Sequence, residues 1–324
     1  MPSAARGSRW RTAVGVAALV VVGVFLGLAL VRNWSAVRDD LDSLSALDWA
    51  ATVCWGALGL IGSWAITATV LTGMGGHLGG HDSRAMYFTG QLGKYVPGSV
   101  WPAVIQAQIG ARHGIRPRTM VAAYAYALAV SVCVGGVVGL AGLVGLVGSS
   151  AASTLWAVIG IAVGSALLLA ALLHPNGLLR VVGSLAARTG RDLTIEQPSN
   201  GHKWATVALC LVTWIVLGLH AWAIARPLGA GPGDVALVVG GFALSFVAGL
   251  LFLPVPGGAG VREAMLVLTI GAVIGRPGAL TLALVSRFVL LALDVLLALL
   301  AGAVPLLRAA RRWSGSGAAG RGGR

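Results

Sequence analysis

Long apolar runs separated by short polar stretches dominate the chain. Uncharged segments extend over 13–31, 49–76, 119–173 and 204–225. A helix needs about 20 apolar residues to cross a hydrocarbon core of about 30 Å, so each run can span, and the third can hold two helices turned at "GSSAAS" (148–153). The expected full spans are 13–32, 49–72, 119–147, 154–173, 204–225 and 279–307. Two further apolar regions, 84–113 and 234–275, do not read as straight helices. The first is broken by "YVPGSVW" (95–101) and the second by "LPVPGGAGVRE" (253–263). Proline removes a backbone donor and clashes with the preceding turn, and glycine permits chain reversal. Within hydrocarbon such backbone is tolerated only where it is buried in protein or lines a wet cavity. The pattern predicts an all-α integral membrane protein with about six full spans and two broken re-entrant hairpins, or eight passes if the hairpins cross.

Composition and charge sharpen this picture. The chain is 57% hydrophobic and 10% charged, with a mean hydropathy of +0.88, against roughly 25% charged residues in a soluble domain. The net charge of +13 would suggest nucleic acid in a soluble protein. Here the basic residues collect at the ends of spans, so the bias of Lys and Arg toward the cytoplasm explains them and no nucleic-acid partner is expected. Arg6, Arg9 and Arg11 precede the first span, whose apolar run exceeds a signal-peptide core. Arg112, Arg116 and Arg118, then Arg180, Arg188, Arg191 and Lys203, and finally Arg308, Arg311 and Arg312 fall on the same side. Asp39, Asp40, Asp42 and Asp48 mark 33–48 as an exterior loop, and Arg276 is the one basic residue placed outside. Both termini are expected in the cytoplasm of a bacterial inner membrane, the Gly/Ala/Val bias fitting a high-GC bacterium. The chain divides into a basic N-terminus (1–12), a membrane domain (13–307) and a disordered basic tail (308–324).

The membrane domain reads as two inverted halves, 13–147 and 154–307. Val96-Pro97-Gly98 matches Val255-Pro256-Gly257, Arg116-Pro117 matches Arg276-Pro277, and Trp55 and Trp214 stand equally far ahead of their prolines. Three spans between the hairpins open one toward each side of the membrane. Paired Gly/Pro-interrupted segments in inverted halves point to the binding site of a transporter.

Intramembrane charge is costly and by default functional. Lys94, Arg262, Glu263, Arg287 and Asp294 qualify. Lys94 lies one turn before Pro97, and Arg262 and Glu263 open the helix after the second break, where free N–H groups favour an anion. Gly98, Gly257, Gly258 and Gly260 allow close backbone approach, Ser99 can cap a helix, and Trp101 can wall a cavity. The expected headgroup-binding set is Lys94, Tyr95, Pro97, Gly98, Ser99, Trp101, Pro256, Gly257, Gly258, Gly260, Arg262 and Glu263. Arg287 and Asp294, seven apart on one helical face, form an ion network across the bundle, Asp294 with Arg262 and Arg287 with Glu263. His77 and His81 read as loop histidines and His220 as a packing residue. Cys54, Cys133 and Cys210 lack metal or disulfide spacing. No nucleotide motif is present, and neither metal nor cofactor is expected.

"GQLGKYVPGSVW" (90–101) with "LPVPGGAGVREA" (253–264) resembles the lysylphosphatidylglycerol synthase transmembrane region, the flippase-like membrane domain of multiple peptide resistance factor proteins. The resemblance extends over about 13–307. It implies movement of an aminoacylated lipid between leaflets. No soluble transferase domain is present in this chain, so translocation rather than synthesis is implied. Stand-alone relatives near glycosyltransferases leave a polyprenyl-phosphate-linked lipid open as the substrate. The expected function is a lipid flippase, not an enzyme, with a membrane lipid as ligand and a lipid synthase or glycosyltransferase as a possible partner. The alternatives are an intramembrane lipid-phosphate or glycolipid enzyme with Glu263 as acid/base, and a non-catalytic scaffold.

Overall fold

The structure, a computed structural model, describes residues 34–95, 100–143, 197–251, 258 and 260–319, with isolated positions between 163 and 174. The expected span 13–32, most of 154–173, and the Pro-Gly pairs at 97–98 and 256–257 lie outside the described residues. Among the described residues the chain is helical, with no strands: α1 (Trp34–Ser43), α2 (Ala46–Gly73), α3 (Gly80–Gln91), a 3-10 turn (Leu92–Tyr95), α4 (Trp101–Arg112), α5 (Pro117–Leu143), α6 (Asn200–Ala225), α7 (Val235–Leu251), α8 (Val261–Thr269) and α9 (Gly271–Ala319). Five helical stretches are long and apolar enough to span: Ala46–Gly73, Pro117–Leu143, Asn200–Ala225, Pro232–Leu251 and Gly271–Gly302. The protein is an all-α membrane protein.

Two boundaries depart from the sequence reading. The stretch expected as an exterior loop, 33–48, holds α1, because Trp34, Val37, Leu41 and Leu44 recur at helical spacing and bury Val37 and Leu44. With Trp49 and the α9 residues Leu284, Val285, Phe288 and Val289, α1 lines an apolar cavity of about 190 Å³. Asp48 belongs to α2: Ser45 and Asp48 form a reciprocal capping box, which satisfies free N–H groups at the helix start. At the other end of the chain, α9 continues through Ala319 instead of ending near 307. The run "LLRAARRW" (306–313) consists almost wholly of good helix formers and has no breaker.

Glycine sets the distances between helices. Gly56, Gly59 and Gly62 of α2 meet His220, Leu217 and Thr213 of α6 in descending order, so the two helices run antiparallel. Asp48 pairs with Arg226 at one end of this pair, and Gly73 meets Pro198 and His202 at the other. Between α5 and α7 the backbones touch: a methyl group on Gly142 would stand 2.7 Å from Gly240 Cα. Lipid tails are as apolar as the helices, so close packing through small residues, not hydrophobic expulsion, supplies the association energy.

Each antiparallel pair of short helices hangs from one end of the α2–α6 pair. α3 and α4 leave from the Gly73 end, and their bases are joined where His113 lies 3.9 Å from Asp82. Gly90 faces Gln106, and Gly93 faces the backbone of Trp101 and Pro102, so the two arms close toward the tip. α7 and α8 leave from the Arg226 end. Gly241 faces Thr269 near the base, and Gly249 faces Arg262 and Gly258 near the tip. At about 1.5 Å per residue, twelve-residue α3 and α4 and nine-residue α8 fall well short of the roughly 30 Å of a bilayer core. Gly275, at φ 74°, kinks the chain before the long apolar run of α9. The corresponding helices therefore appear in the same order in both halves, with the hairpins hung from opposite ends.

Replacing Gly142 by Leu is expected to lower stability by about 1–3 kcal/mol through overpacking, read as a lower thermal midpoint in detergent. Gly201→Ala, at a position with open space around it, should leave the midpoint unchanged or raise it.

Candidate functional site

The tips of the two hairpins end on the same helix, α9. The first hairpin rises from the Gly73 end and delivers Lys94 and Tyr95 to Asp294. Lys94 Nζ lies 2.6 Å from Asp294 Oδ2, and the Tyr95 hydroxyl donates to the same oxygen at 2.6 Å. The second hairpin comes from the opposite end and delivers Glu263 to Arg287, whose Nη1 donates to Glu263 Oε1 at 2.5 Å. Seven residues separate the two anchor points, about 10 Å along the helix. α9 thus presents an anion to one tip and a cation to the other.

Local backbone chemistry fixes the second tip. Gly258 and Gly260 have φ of 64° and 83°, in the left-handed region that side chains with a Cβ rarely adopt. A Cβ on Gly258 would also stand 2.5 Å from Gly249 Cα. Glu263 Oε2 accepts from Gly260 N at 2.6 Å, closing the first turn of α8 as an N3 carboxylate does. One carboxylate therefore caps α8 and binds Arg287.

Arg262 differs from its neighbours. Its guanidinium carbon lies 3.5 Å from the centre of the Phe246 ring, and its Nε is buried without a hydrogen-bond partner among the described residues. It lies close enough to interact electrostatically with Arg287, Glu263, Tyr95 and Asp294, yet forms no ion pair within contact distance among the described residues. Phe246 is braced by Phe242 at 5.3 Å and Trp214 at 5.8 Å. A guanidinium stacked on an aromatic face keeps its edge donors free for a planar oxyanion.

Burial separates the signs of charge. The side chains of Asp294 and Glu263 are 1% and 7% exposed, whereas those of Lys94 and Arg287 are 34% and 25% exposed. The carboxylates lie behind and the cations in front.

Of the expected site residues, Lys94, Tyr95, Arg262, Glu263, Arg287 and Asp294 come together with Gly258 and Gly260. Trp101 opens α4 and is 42% exposed. Pro97, Gly98, Ser99, Pro256 and Gly257 lie outside the described residues. The expected pair Arg287–Glu263 is present. The expected pair Asp294–Arg262 is replaced by Asp294–Lys94, because Asp294 is farther along α9 than the second tip reaches and meets the first instead. Phe246 was not anticipated; its place on α7, one helix away from Arg262 in sequence, carries no local signal. His220 is a satisfied packing residue, held by the Thr52 carbonyl at 2.8 Å and the Ser286 hydroxyl at 3.0 Å. His77 lies in the turn before α3 and His81 in its first turn. Among the described residues no group of three His, Cys, Asp or Glu could hold a metal.

The model of the family described as lysylphosphatidylglycerol synthase TM region matches residues 14–313. The chain belongs to this family. The match covers both hairpins and the whole charged cluster, and it ties the membrane bundle to lipid-related function. No curated protein matches the chain.

Removing one partner of a buried ion pair leaves the other uncompensated. Arg287→Met is expected to cost about 3–5 kcal/mol, and adding Glu263→Gln should recover about 1 kcal/mol or more of it. Equilibrium unfolding of the single and double variants in mixed micelles measures both.

Proposed function

We propose that this protein moves a lipid between the leaflets of the bacterial cell membrane, with the headgroup held at the tips of two re-entrant hairpins. The single observation that carries the reading is the arrangement of Lys94, Arg262 and Arg287 at the meeting point of the hairpins, ahead of buried Asp294 and Glu263. Arg262 supplies a guanidinium edge for a lipid phosphate, the first turn of α8 supplies backbone N–H groups, and Lys94 and Arg287 flank it. The hairpins hang from opposite ends of the bundle, so rocking one half against the other would bare the cations to each side in turn.

The lipid is anionic, aminoacylated or polyprenyl-phosphate-linked. Both termini lie in the cytoplasm, as the distribution of Lys and Arg requires. Transfer of the lipid without change to its bonds is the reading supported by the engagement of Glu263 and Asp294 in ion pairs and of Glu263 as a helix cap. A lipid synthase or glycosyltransferase that makes the lipid would be its partner.

In proteoliposomes carrying fluorescent phosphatidylglycerol or a fluorescent polyprenyl-phosphate-linked sugar, the protein is expected to accelerate leaflet exchange. Arg262→Ala should slow it at least tenfold while its thermal midpoint stays within a few degrees of wild type. No acceleration for either lipid, with or without a proton gradient, overturns the reading.

A further inference from the structure

The charge at the tips can be counted among the described residues. Three cations, Lys94, Arg262 and Arg287, face two carboxylates, Asp294 and Glu263. The remaining tip residues, 96–99 and 252–257, contain no ionisable side chain, and 281–300 of α9 contributes only Arg287 and Asp294. The Tyr95 hydroxyl donates to Asp294, and His220 is occupied by Thr52 and Ser286. Two cations are matched by carboxylates at ion-pair distance. Arg262 is left, so the cluster of described residues carries one net positive charge.

We infer that Asp294 and Glu263 determine the charge of the phosphate group the protein accepts, restricting it to a phosphodiester, whose phosphate carries one negative charge. The inference rests on the headgroup reading above. A single negative charge on Arg262 neutralises the site. A phosphomonoester or diphosphate would leave net negative charge in a region of low dielectric, where an uncompensated ion is strongly disfavoured. The two carboxylates are specificity-determining through charge and do not touch the ligand: they lie behind Lys94 and Arg287, which hold them, and lower the site from three positive charges to one. A purely structural Asp294 would hold the first hairpin in place and have no bearing on ligand charge.

Two single-chain probes differ only in charge: hexadecyl methyl phosphate, a monoanionic diester, and hexadecyl phosphate, a dianion at pH 8 because the second ionisation of such monoesters lies at about 6. Their binding is measured by titration calorimetry in neutral micelles. The wild-type protein is expected to favour the diester about tenfold, the ratio that 1.4 kcal/mol produces. Asp294→Asn adds a positive charge and should reverse the preference. Lys94→Met with Asp294→Asn removes the whole pair, returns the site to one positive charge and should restore the diester preference, even with weaker binding of both probes. If Asp294→Asn does not fold, Glu263→Gln, which raises the charge equally and keeps an acceptor for Gly260 N, is measured in its place. The same probe ratio in all variants overturns this inference and leaves the headgroup reading standing. Wild-type protein that binds neither phosphate better than phosphate-free hexadecyl maltoside overturns both.

Discussion

A charge inside a bilayer must find its partner within the protein, and here one helix supplies the partners. α9 carries Arg287 and Asp294 on one face, two turns apart, and each is met by the tip of a different hairpin. Much of the central architecture follows from this. The ends of α3, α4 and α8 meet inside the bundle. Their charges then need internal partners, and α9 supplies an anion for one hairpin and a cation for the other.

The same constraint explains the glycines. The stacking of Gly249 on Gly258 lets α7 and α8 close into a hairpin tight enough to bring Arg262 over Phe246. Gly142 and Gly240 bring α5 against α7, and the glycines of α2 admit the side chains of α6. Where water offers no driving force for helix association, contact distance takes over that role. Substitutions that separate these helices by even a methyl group act on the site indirectly, by moving the hairpin that carries it.

Under the proposed function, the cluster joins two requirements that conflict in most proteins. A headgroup site needs exposed cations, and a membrane core tolerates few of them. Pairing two of the three cations with buried carboxylates stabilises the bundle while the front of each cation stays accessible. Arg262, stabilised by an aromatic face instead of a carboxylate, keeps its charge uncancelled. The family match, over residues 14–313, spans every member of the cluster.

Much was legible in the sequence for physical reasons that act locally. Uncharged runs long enough to cross a bilayer appear as long helices at Ala46–Gly73, Pro117–Leu143 and Asn200–Ala225. Charged residues in apolar surroundings had to be paired, and the spacing of Arg287 and Asp294 placed them on one face. Other features depended on contacts between distant segments. The aspartate-rich stretch before α2 read as a loop because its charges were visible, while its apolar stripe acquired meaning only against α9. Asp294 could have met Lys94 or Arg262 with equal chemistry. The depth each hairpin reaches decided for Lys94, and that depth is set by helix packing across the whole bundle. Phe246 gained its role the same way: an aromatic residue in an apolar helix has no distinguishing mark until α8 folds back and lays a guanidinium on its ring.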